Sequence, residues 1–476
     1  MAVLPLVLVV IDGWSPHGPR PWDGAHGHLP HFQRLARHGS HGVAVTTFPG
    51  VTPTALATLM TGSWPDRHKV PGILWYHREE DRHIHYWPSW EQARAGHMGR
   101  VARDILVDLN RLHLDRSTPT IVDTLETAGI RCAIANLPIH RGPVPHHARM
   151  RFPLDPLFHR GRLLIEGPSG ILLPGLALSP FPGRRPGWGE SHATSVAAAW
   201  LRSGCFGLVV LYLPSTDLTS HRLGPPPSAP HWQRTDGLLG RLMQALGGPR
   251  NALERARWLL LGDHGQSSVE GSDKALAPER LWRDLDPVPL GKGGLGTRHA
   301  LALSPNDRSL LVTTARGEAG AFAAQEAWRR LQHLPGVDVA ARRTPEGDLE
   351  VVHVPSGYRL RARPGGRHLD PWGGRWHLDG NPEALDLRAD GAILREHSYP
   401  AALQRLWSGT QESPLAASAR PGWEFTTGTP MGKGNHGSLH ACDSWTPTLT
   451  VGLDVPARTT LASLAPYIVR ACLEDR

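Results

Sequence analysis

Four short, uninterrupted apolar runs limit the possible folds of this chain more than any other feature of its sequence. The runs are Leu6–Ile11, Cys132–Ala135, Leu208–Leu213 and Trp258–Leu261. Runs of this kind are typical of strands buried on both faces, as in a parallel sheet with helices packed on each side. They predict an α/β fold.

Segments with helix-like patterns separate the apolar runs. These segments cover residues 29–37, 55–60, 121–128, 195–202 and 236–246. The alternation predicts a doubly wound, mostly parallel sheet with helices on both faces, and such sheets bind ligands at the carboxyl ends of their strands. We therefore expect a main domain that comprises residues 1–275.

The pattern changes between residues 276 and 420. Hairpin-like pieces at Leu349–Val354 and Tyr358–Arg363 accompany a helix-like stretch around residues 321–334, and Gly- and Pro-rich joints flank the segment. This combination predicts an inserted α+β subdomain. Residues 421–476 are expected to return to the main sheet through a strand near Thr446–Leu453.

Composition and charge exclude several classes of protein. With 476 residues, of which 40% are hydrophobic and 20% charged, the chain is expected to be globular rather than disordered or fibrous. Its net charge of +8, carried almost entirely by Arg, would suit an anionic partner, nucleic acid included. Because the Arg residues form no blocks, we favour base-composition bias and expect no stable nucleic-acid partner.

The N-terminus and the cysteines bear on the cell compartment. The start MAVLPLVLVVIDGW lacks a charged leader and a cleavage site, so we interpret it as a strand rather than a signal peptide. The four cysteines lie far apart in the sequence and predict neither a disulfide framework nor a thiolate metal site. We expect a cytoplasmic protein without membrane attachment.

Acidic residues follow two of the predicted strands. Asp12 ends the first run, where an Asp-Gly pair is as typical of a turn as of a functional site. Asp263 and His264 end the fourth run, and a carboxylate beside an imidazole is costly to bury without a partner, most commonly a cation. This second position therefore favours metal binding.

A further Asp and His follow the third run. Asp217 and His221 are four residues apart, so one helical turn would place both on one face, where they suit zinc or a similar divalent ion. As an isolated pair they fit a metal site and an ordinary polar helix face equally well. His436 lies in a glycine-rich loop and, on its own, is one of 28 histidines.

Thr52 lies at the predicted start of a helix. Pro53 opens the segment and Gly62 closes it, which predicts that Thr52 is the N-cap residue. Its hydroxyl could simply cap the helix, the interpretation that the local sequence favours. It could instead face an anion held by the helix dipole and the free amides.

Together and in this order, these residues resemble the alkaline phosphatase superfamily, and most closely its type I phosphodiesterase and nucleotide pyrophosphatase branch. The resemblance spans residues 6–275 and 423–453, and it implies two divalent metal ions, expected to be zinc with manganese as the alternative. The first ion would be held by Asp12, Thr52, Asp263 and His264. The second would be held by Asp217, His221 and His436.

The same resemblance implies a catalytic role for Thr52. A metal ion would lower the pKa of its hydroxyl, attack on phosphorus would give a phosphothreonine intermediate, and a metal-activated water would hydrolyse that intermediate. The expected activity is that of a phosphodiesterase or nucleotide pyrophosphatase. The expected partner is a small phosphate ester or a nucleotide-like substrate.

Other activities on the same scaffold stay open. They are a phosphomonoesterase, a phosphonate hydrolase and, less favoured because of where the insert lies, a cofactor-independent phosphoglycerate mutase. A binding protein without turnover is disfavoured because no member of the ligand set is missing. A sulfatase is disfavoured because sulfatases mature a Cys or Ser, whereas the nucleophile position here is Thr.

Two features depart from the family pattern. Many nucleotide pyrophosphatases carry an Asn beyond the nucleophile that contacts a phosphoryl oxygen, but the stretch from Pro53 to Met60 contains no Asn. Pro53 also lacks the amide that would directly follow the nucleophile. Both features weaken a specific assignment to nucleotides and leave the metal ligands untouched.

Substitute substrate contacts are expected from the segment after the second predicted strand. Asn136, Arg141 and His146 are the candidate substrate-binding residues, and Arg141 could grip a phosphoryl oxygen through two N–H groups. A solvated polar loop is the simpler interpretation of the same segment. Trp75 and Tyr76 could stack on a nucleobase, but aromatic residues near a strand more often pack in the core.

Overall fold

Two large β-sheets organise the part of the chain described by the computed structural model, residues 4–87, 98–148, 163–173, 188–428 and 430–474. Their strands, in chain order, are β1 (Leu6–Ile11), β2 (Ser40–Val45), β3 (Cys132–Ala135), β4 (Gly170–Leu172), β5 (Leu208–Leu213), β6 (Arg257–Leu261), β7 (Leu301–Asn306), β8 (Ser309–Thr314), β9 (Val337–Arg343), β10 (Leu349–His353), β11 (Tyr358–Leu369), β12 (Arg375–Gly380), β13 (Leu387–Asp390), β14 (Ile393–Glu396), β15 (Leu415–Ala419), β16 (Trp445–Val451) and β17 (Arg458–Thr460). Shorter strands pair outside these sheets: Leu74–His77 with Arg82–His85, Val144–Ala148 with Leu163–Gly167, Ser267–Ser268 with Gly434–Asn435, and Ala275–Leu276 with Glu424–Phe425.

Helices connect the strands of both sheets. The α-helices of seven residues or more are α1 (Pro30–His38), α2 (Thr52–Thr61), α3 (Ile121–Thr127), α4 (Trp188–Ser203), α5 (Ser215–Leu223), α6 (Ala229–Ala245), α7 (Glu318–Leu331), α8 (Ala402–Gly409) and α9 (Leu461–Leu473). Shorter helical segments cover Pro65–His68, Met98–Arg103, Asn251–Arg255, Pro278–Leu281 and Ala441–Ser444, and a π-helix covers Asp104–His113. Within the described ranges, no helix combines the length and the apolar character needed to cross a bilayer.

The main sheet explains the four apolar runs. Its strand order is β17-β2-β16-β6-β1-β5-β3-β4, and only β16 runs antiparallel to its neighbours. On β1, Leu8 packs into the core formed with α2, α3 and α9, whereas Val9 packs on the opposite face with α1, α4 and α6. Because both faces are covered by helices, the predicted doubly wound α/β fold is confirmed.

The second sheet lies within the segment predicted as an insert. Its order is β7-β8-β15-β9-β10-β11-β14-β13, with β12 paired to β11, and α7 covers one face through Ala327 and Trp328. Strand β16 then returns to the main sheet beside β6. The predicted domain limits, 1–275, 276–420 and 421–476, stay predictions.

Candidate active site

Three neighbouring strands of the main sheet bring acidic residues to one edge. Strands β6, β1 and β5 lie side by side and parallel. Asp12 follows β1, Asp263 comes shortly after β6, and Asp217 lies on α5, which follows β5. The carboxyl ends of parallel strands share one edge of the sheet, so the three carboxylates converge there, and all three are buried.

The first group of candidate metal ligands comprises Asp12, Asp263 and His264. His264 Nε2 lies 3.3 Å from Asp12 Oδ1 and 3.5 Å from Asp263 Oδ2. The Thr52 hydroxyl lies 3.4 Å from Asp12 Oδ1 and 3.3 Å from His264 Nε2. The fold therefore brings together the four residues that the family resemblance assigns to the first ion.

The second group comprises Asp217, His221 and His436. Asp217 and His221 are one turn apart on α5, with Asp217 Oδ2 lying 3.3 Å from His221 Nε2. His436 Nε2 lies 3.5 Å from Asp217 Oδ1. The rings of His436 and His264 stack with their centroids 3.7 Å apart, so the two groups adjoin each other.

Each of the three histidines is oriented by a backbone carbonyl. Nδ1 of His221, His264 and His436 lies 2.8, 3.1 and 2.9 Å, respectively, from the carbonyl oxygens of Gly434, Gly265 and Gly50. When Nδ1–H donates to a carbonyl, Nε2 is the nitrogen whose lone pair is available to a metal ion once the imidazole is neutral. In all three residues, Nε2 is the atom that faces the carboxylates.

In the described structure, each group of candidate ligands has a buried carboxylate oxygen without a hydrogen bond, and these oxygens indicate that the groups can bind cations. Asp263 Oδ1 accepts hydrogen bonds from the amides of Gly13 and His264, both at 3.0 Å. Asp263 Oδ2 and Asp217 Oδ1 are buried and have no hydrogen-bond partner in the described part of the chain. Such oxygens are costly to bury alone, and sets of carboxylate and imidazole suit zinc or a similar cation. The donors of each group fit one divalent cation.

Crowded charges shift the pKa values of the cluster. Burial, together with the Asp263 and Asp217 carboxylates, raises the pKa of Asp12 well above its usual range. Burial opposes the charged form of His221, but the Asp217 carboxylate outweighs it and raises the pKa of His221 to about 9. Burial also opposes the charged form of His264, but the Asp263 and Asp12 carboxylates outweigh it and raise the pKa of His264 to about 10.

Metal binding is therefore expected to release protons. His221 and His264, with pKa values of about 9 and about 10, carry protons near neutral pH, and each must lose one before Nε2 can coordinate a cation. Zinc titration calorimetry near neutral pH, in buffers of different ionisation enthalpy, should report about two protons released or more, and fewer as the pH rises through these pKa values. A proton count near zero would contradict this protonation state.

The structure corrects the predicted position of Thr52. Helix α2 begins at Thr52, Val51 is the N-cap residue, and Gly62 closes the helix in a left-handed conformation. The N-cap prediction was thus wrong by one residue, because Pro53 occupies the second helical position. The Thr52 hydroxyl contacts Asp12 and His264 instead of capping the helix.

Tyr212 contacts the site, although sequence reasoning missed it. It lies in the apolar run of β5, where a tyrosine is typical of a core strand. In the structure its hydroxyl donates a hydrogen bond to Asp12 Oδ2, and burial raises the pKa of Tyr212 well above its usual range. The hydroxyl therefore stays protonated and orients Asp12 so that Oδ1 faces Thr52 and His264.

The Tyr212→Phe substitution is expected to weaken metal binding by the first group of candidate ligands. It removes the donor to Asp12 Oδ2, and loss of such an outer hydrogen bond costs about 10- to 100-fold in metal affinity. Competition with a chelating dye should show this loss for one of the two ions, whereas Tyr467→Phe on α9 should leave both unchanged. Equal affinities in wild type and Tyr212→Phe would argue against the role of Tyr212.

A cavity of about 480 Å³ adjoins both groups of candidate ligands. Its wall includes Thr52, Asp12 and the whole second group. Asn136, one of the three predicted substrate-binding residues, also lines the cavity. Its backbone has a φ of 68°, and its side-chain amide donates to the carbonyl of Tyr212 at 3.1 Å. Asn136 therefore lies in the cavity wall, and its contact with a substrate stays a prediction.

Arg141 and His146 are not among the residues that line this cavity in the described structure. The Arg141 guanidinium donates to three backbone carbonyls, those of Leu114, Asp115 and Thr118. His146 Nε2 lies 2.6 Å from the carbonyl oxygen of Pro168, which follows the strand Leu163–Gly167 that pairs with Val144–Ala148. Local backbone groups satisfy both side chains, so their positions give no support to the predicted phosphoryl contacts.

The aromatic residues of the cavity differ from those considered in the sequence. Trp75 packs in the main core. Tyr76 is also buried, and its hydroxyl donates a hydrogen bond to Asp81 at 2.5 Å. Both residues therefore pack in the protein interior, as the sequence favoured. The cavity wall instead carries Tyr86, Trp87, Tyr212 and Phe425. It also carries Asp307, from the turn between β7 and β8, to which no sequence motif points.

Solved structures of three other proteins share this fold. Human ectonucleotide pyrophosphatase/phosphodiesterase 5 is 15% identical, with a TM-score of 0.59 over 98% of this chain and 94% of that one. The inactive murine protein in complex with AMP is 15% identical, with a TM-score of 0.57 over 98% and 95% of the two chains. Phosphonoacetate hydrolase from Sinorhizobium meliloti 1021, in complex with phosphonoformate, is 14% identical, with a TM-score of 0.54 over 99% and 96%. At these identities the likeness establishes the fold alone.

Sequence comparison identifies the family. A search of curated proteins gives no match. The family profile described as type I phosphodiesterase/nucleotide pyrophosphatase matches residues 6–439, which include most of the main sheet, the whole second sheet and all seven candidate metal ligands. The resemblance drawn from the ordered Asp, Thr and His residues is thereby confirmed. This chain belongs to the type I phosphodiesterase/nucleotide pyrophosphatase family of phosphoric ester hydrolases, within the alkaline phosphatase superfamily.

Proposed function

We propose that this chain hydrolyses small phosphoric esters or anhydrides with Thr52 as the nucleophile and two divalent metal ions as cofactors. The observation that carries the proposal is the position of the Thr52 hydroxyl. It lies 3.4 Å from Asp12 and 3.3 Å from His264, in the wall of the cavity that the second ligand group also lines. A phosphorus atom in this cavity would have access to Thr52 and to both groups.

Each of the two groups of side chains would bind one metal ion. One ion would be held by Asp12, Thr52, Asp263 and His264, and the other by Asp217, His221 and His436. Zinc is proposed because carboxylate and imidazole ligands suit it, and manganese is the alternative. Bound there, the ions would supply Lewis-acid polarisation and neutralise charge on the phosphoryl group.

Thr52 would perform the first of two displacements. Its hydroxyl gives up its proton to solvent, the bond from Oγ to phosphorus forms, and the bond from phosphorus to the leaving oxygen breaks, so that the leaving group departs with the electron pair. Water then attacks phosphorus, the bond from phosphorus to Oγ breaks, and a proton of that water restores the Thr52 hydroxyl. Asp12 and Asp263 disfavour a bare alkoxide at Thr52 by charge repulsion, which explains why the nucleophile needs a cation held among them.

The cavity suits a small organic phosphate. Its volume of about 480 Å³ is that of a small-molecule site, and its aromatic wall suits a ring or an alkyl group. The murine relative binds AMP, and the bacterial relative binds phosphonoformate. We extend this class of small phosphorus-containing ligands to the present chain, with nucleotides as one member.

We also propose two features of the cellular context. They are a cytoplasmic location and the lack of a stable nucleic-acid partner. Fractionation of cells that express the protein tests the first. Retention of duplex DNA at physiological salt would contradict the second.

Turnover of two chromogenic esters tests the proposed activity. With zinc or manganese bound, bis-p-nitrophenyl phosphate should be hydrolysed at least about tenfold faster than p-nitrophenyl phosphate, because the apolar wall can accept a second aryl group. The reverse order would favour the phosphomonoesterase alternative, and cleavage of a phosphonate alone would favour a phosphonate hydrolase. Failure to hydrolyse any of these compounds with either metal ion would rule out the proposal.

A further inference from the structure

A buried arginine contacts two segments of the backbone that carry candidate site residues. Arg405 lies on α8, which connects β14 to β15 of the second sheet, and it is fully buried. The first segment, residues 46–51, leads into α2 and Thr52, and we call it the nucleophile segment. The second, residues 436–444, begins with His436, and we call it the ligand segment. Arg405 is not among the seven residues that the family resemblance implies.

The Arg405 guanidinium joins the two segments through hydrogen bonds. In the nucleophile segment, the Thr47 carbonyl accepts from Nε at 3.1 Å and from Nη2 at 2.7 Å. In the ligand segment, Nη1 donates to the Leu439 carbonyl at 3.0 Å and to the Ser444 hydroxyl at 2.7 Å. Nη2 also donates to the Ser438 carbonyl at 3.4 Å. One side chain thus holds the backbone of both segments at a defined separation.

These hydrogen bonds explain why the position holds an arginine. Among the described residues, the guanidinium donates to backbone carbonyls and one hydroxyl, and to no carboxylate. A buried cation without an ion pair is costly, and an apolar side chain of similar volume can fill a core equally well. Neither an apolar side chain nor the compact ammonium of lysine supplies a planar fork of N–H donors. Bridging two backbone segments is therefore what requires arginine here.

The two segments also contact each other at the candidate site. The Gly50 carbonyl oxygen of the nucleophile segment lies 2.9 Å from Nδ1 of His436, and Thr52 follows two residues later. A closed ring therefore runs from the guanidinium along the nucleophile segment to Gly50, across to His436, and back along the ligand segment to the guanidinium. A shift of one segment against the other would break this ring. The ring thus sets the position of His436 relative to Thr52.

The packing around α8 supports the same interpretation independently of Arg405. A β-carbon added to Gly409, at the end of α8, would lie 2.3 Å from the Phe48 carbonyl oxygen of the nucleophile segment. The helix therefore approaches this backbone too closely for any side chain. In the ligand segment, the Leu439 amide donates to the hydroxyl of Ser418 on β15 at 2.8 Å. Neighbouring parts of the second-sheet segment thus support both the nucleophile segment and the ligand segment.

We propose, on the basis of the proposed function, that Arg405 is a positioning residue for phosphoryl transfer, which holds the nucleophile segment against the ligand segment and so places Thr52 relative to His436. Arg405 is not among the residues that line the cavity in the described structure, so it acts through the backbone that carries these two residues. None of the seven candidate ligands lies within residues 276–420. Through Arg405, this part of the chain nevertheless determines how two of them are arranged.

Steady-state kinetics of two Arg405 variants, with saturating zinc, tests this role. Arg405→Met removes every donor, so kcat for bis-p-nitrophenyl phosphate should fall by about 100-fold or more, because a misplacement of about 1 Å is enough for such a loss. KM should change by less than about threefold, because the cavity wall is untouched. Arg405→Lys keeps the charge but cannot reach both segments, and should lose about tenfold in kcat. A kcat of Arg405→Met within about threefold of wild type would overturn the proposal.

Arg343→Met is the matched control for loss of stability. Arg343 also supports α8, since it donates to the Thr410 hydroxyl at 3.0 Å and its guanidinium carbon lies 3.4 Å from the ring centroid of Trp407. Its side-chain hydrogen bonds stay within residues 343–410, so Arg343→Met should lower the unfolding temperature and keep kcat within about threefold of wild type. Equal losses of kcat in Arg343→Met and Arg405→Met would show that destabilisation alone lowers activity, and would overturn the proposal. If Arg405→Met does not fold, Arg405→Lys takes its place in this comparison.

Metal binding gives a readout that does not depend on turnover. Cobalt(II) replaces zinc in proteins, and its visible absorption reports the geometry of its ligands. In Arg405→Met the absorption of one bound ion should change and its affinity should fall by about tenfold or more, because the support of His436 is lost, whereas Arg343→Met should match wild type. If no ester is hydrolysed by wild type, the proposed function fails, but these changes would still support the positioning of His436 by Arg405. Identical spectra and affinities in wild type and Arg405→Met would overturn the proposal.

Discussion

Replacing Thr52 with alanine is expected to lower kcat for bis-p-nitrophenyl phosphate by about 10⁴-fold or more. The substitution removes the only oxygen of this side chain, which lies 3.4 Å from Asp12 and 3.3 Å from His264. No covalent intermediate can then form at this position, and only positioning and charge neutralisation remain. Steady-state kinetics of the metal-loaded protein measures the effect.

Two further variants show whether the effect comes from the hydroxyl. Thr52→Ser keeps an oxygen at the site and should retain turnover within about 100-fold of wild type. Thr61→Ala makes the same chemical change at the other end of α2, where the hydroxyl donates to the carbonyl of Ala57, and should leave kcat unchanged. Turnover of Thr52→Ala within tenfold of wild type would mean that another group attacks phosphorus.

The Asp217→Asn substitution is expected to remove one metal ion per chain and to lower kcat by about 10³-fold or more. Asp217 is the carboxylate of the second group, with one oxygen 3.3 Å from His221 Nε2 and the other 3.5 Å from His436 Nε2. Asparagine has nearly the same shape but lacks the charge. It leaves two histidines, which hold a divalent ion far less tightly than the full group.

Elemental analysis after dialysis measures this loss directly. Wild type should retain two equivalents of zinc or manganese and Asp217→Asn one, whereas Asp454→Asn, at an exposed position, should retain two. The retained ion in Asp217→Asn should belong to the group that contains Asp12 and His264. Two tightly held ions in Asp217→Asn would contradict the assignment of the second group.

The fold could be predicted because its central strands are buried on both faces. Val9 and Leu8 contact different cores, so the whole of β1 is apolar and its pattern is easily distinguished from that of a half-exposed strand. The same argument applies to β3, β5 and β6. It also predicts that polar residues after these strands meet at one edge of the sheet, where Asp12, Asp217 and Asp263 lie, whereas their assignment to metal ions comes from the resemblance to the family.

The parts of the site that sequence could not predict depend on tertiary packing. Tyr212 lies within an apolar run, and only the arrangement of β5 beside β1 shows that its hydroxyl meets Asp12. Asp307 reaches the cavity because a buried Arg308–Asp443 pair joins the second sheet to the loop around His436. Such contacts between segments far apart in the chain cannot be inferred from a local pattern of residues.

Arg141 is a predicted substrate contact that the structure does not place in the cavity wall. An arginine after a strand that ends at a ligand-binding edge is a reasonable phosphate ligand. Its guanidinium nevertheless donates hydrogen bonds to three backbone carbonyls of the surrounding loop. These hydrogen bonds hold the side chain away from the cavity wall. The local sequence does not show whether a long arginine side chain will donate to a phosphoryl oxygen of the substrate or to nearby backbone carbonyls.

The stereochemistry at phosphorus tests most directly whether phosphoryl transfer passes through Thr52. A p-nitrophenyl phosphorothioate diester of known configuration, hydrolysed in water enriched in heavy oxygen, gives a chiral product whose configuration can be determined. Each in-line displacement inverts phosphorus, so attack by Thr52 followed by attack by water predicts overall retention. Overall inversion would show a single displacement by water and would contradict a phosphothreonine intermediate.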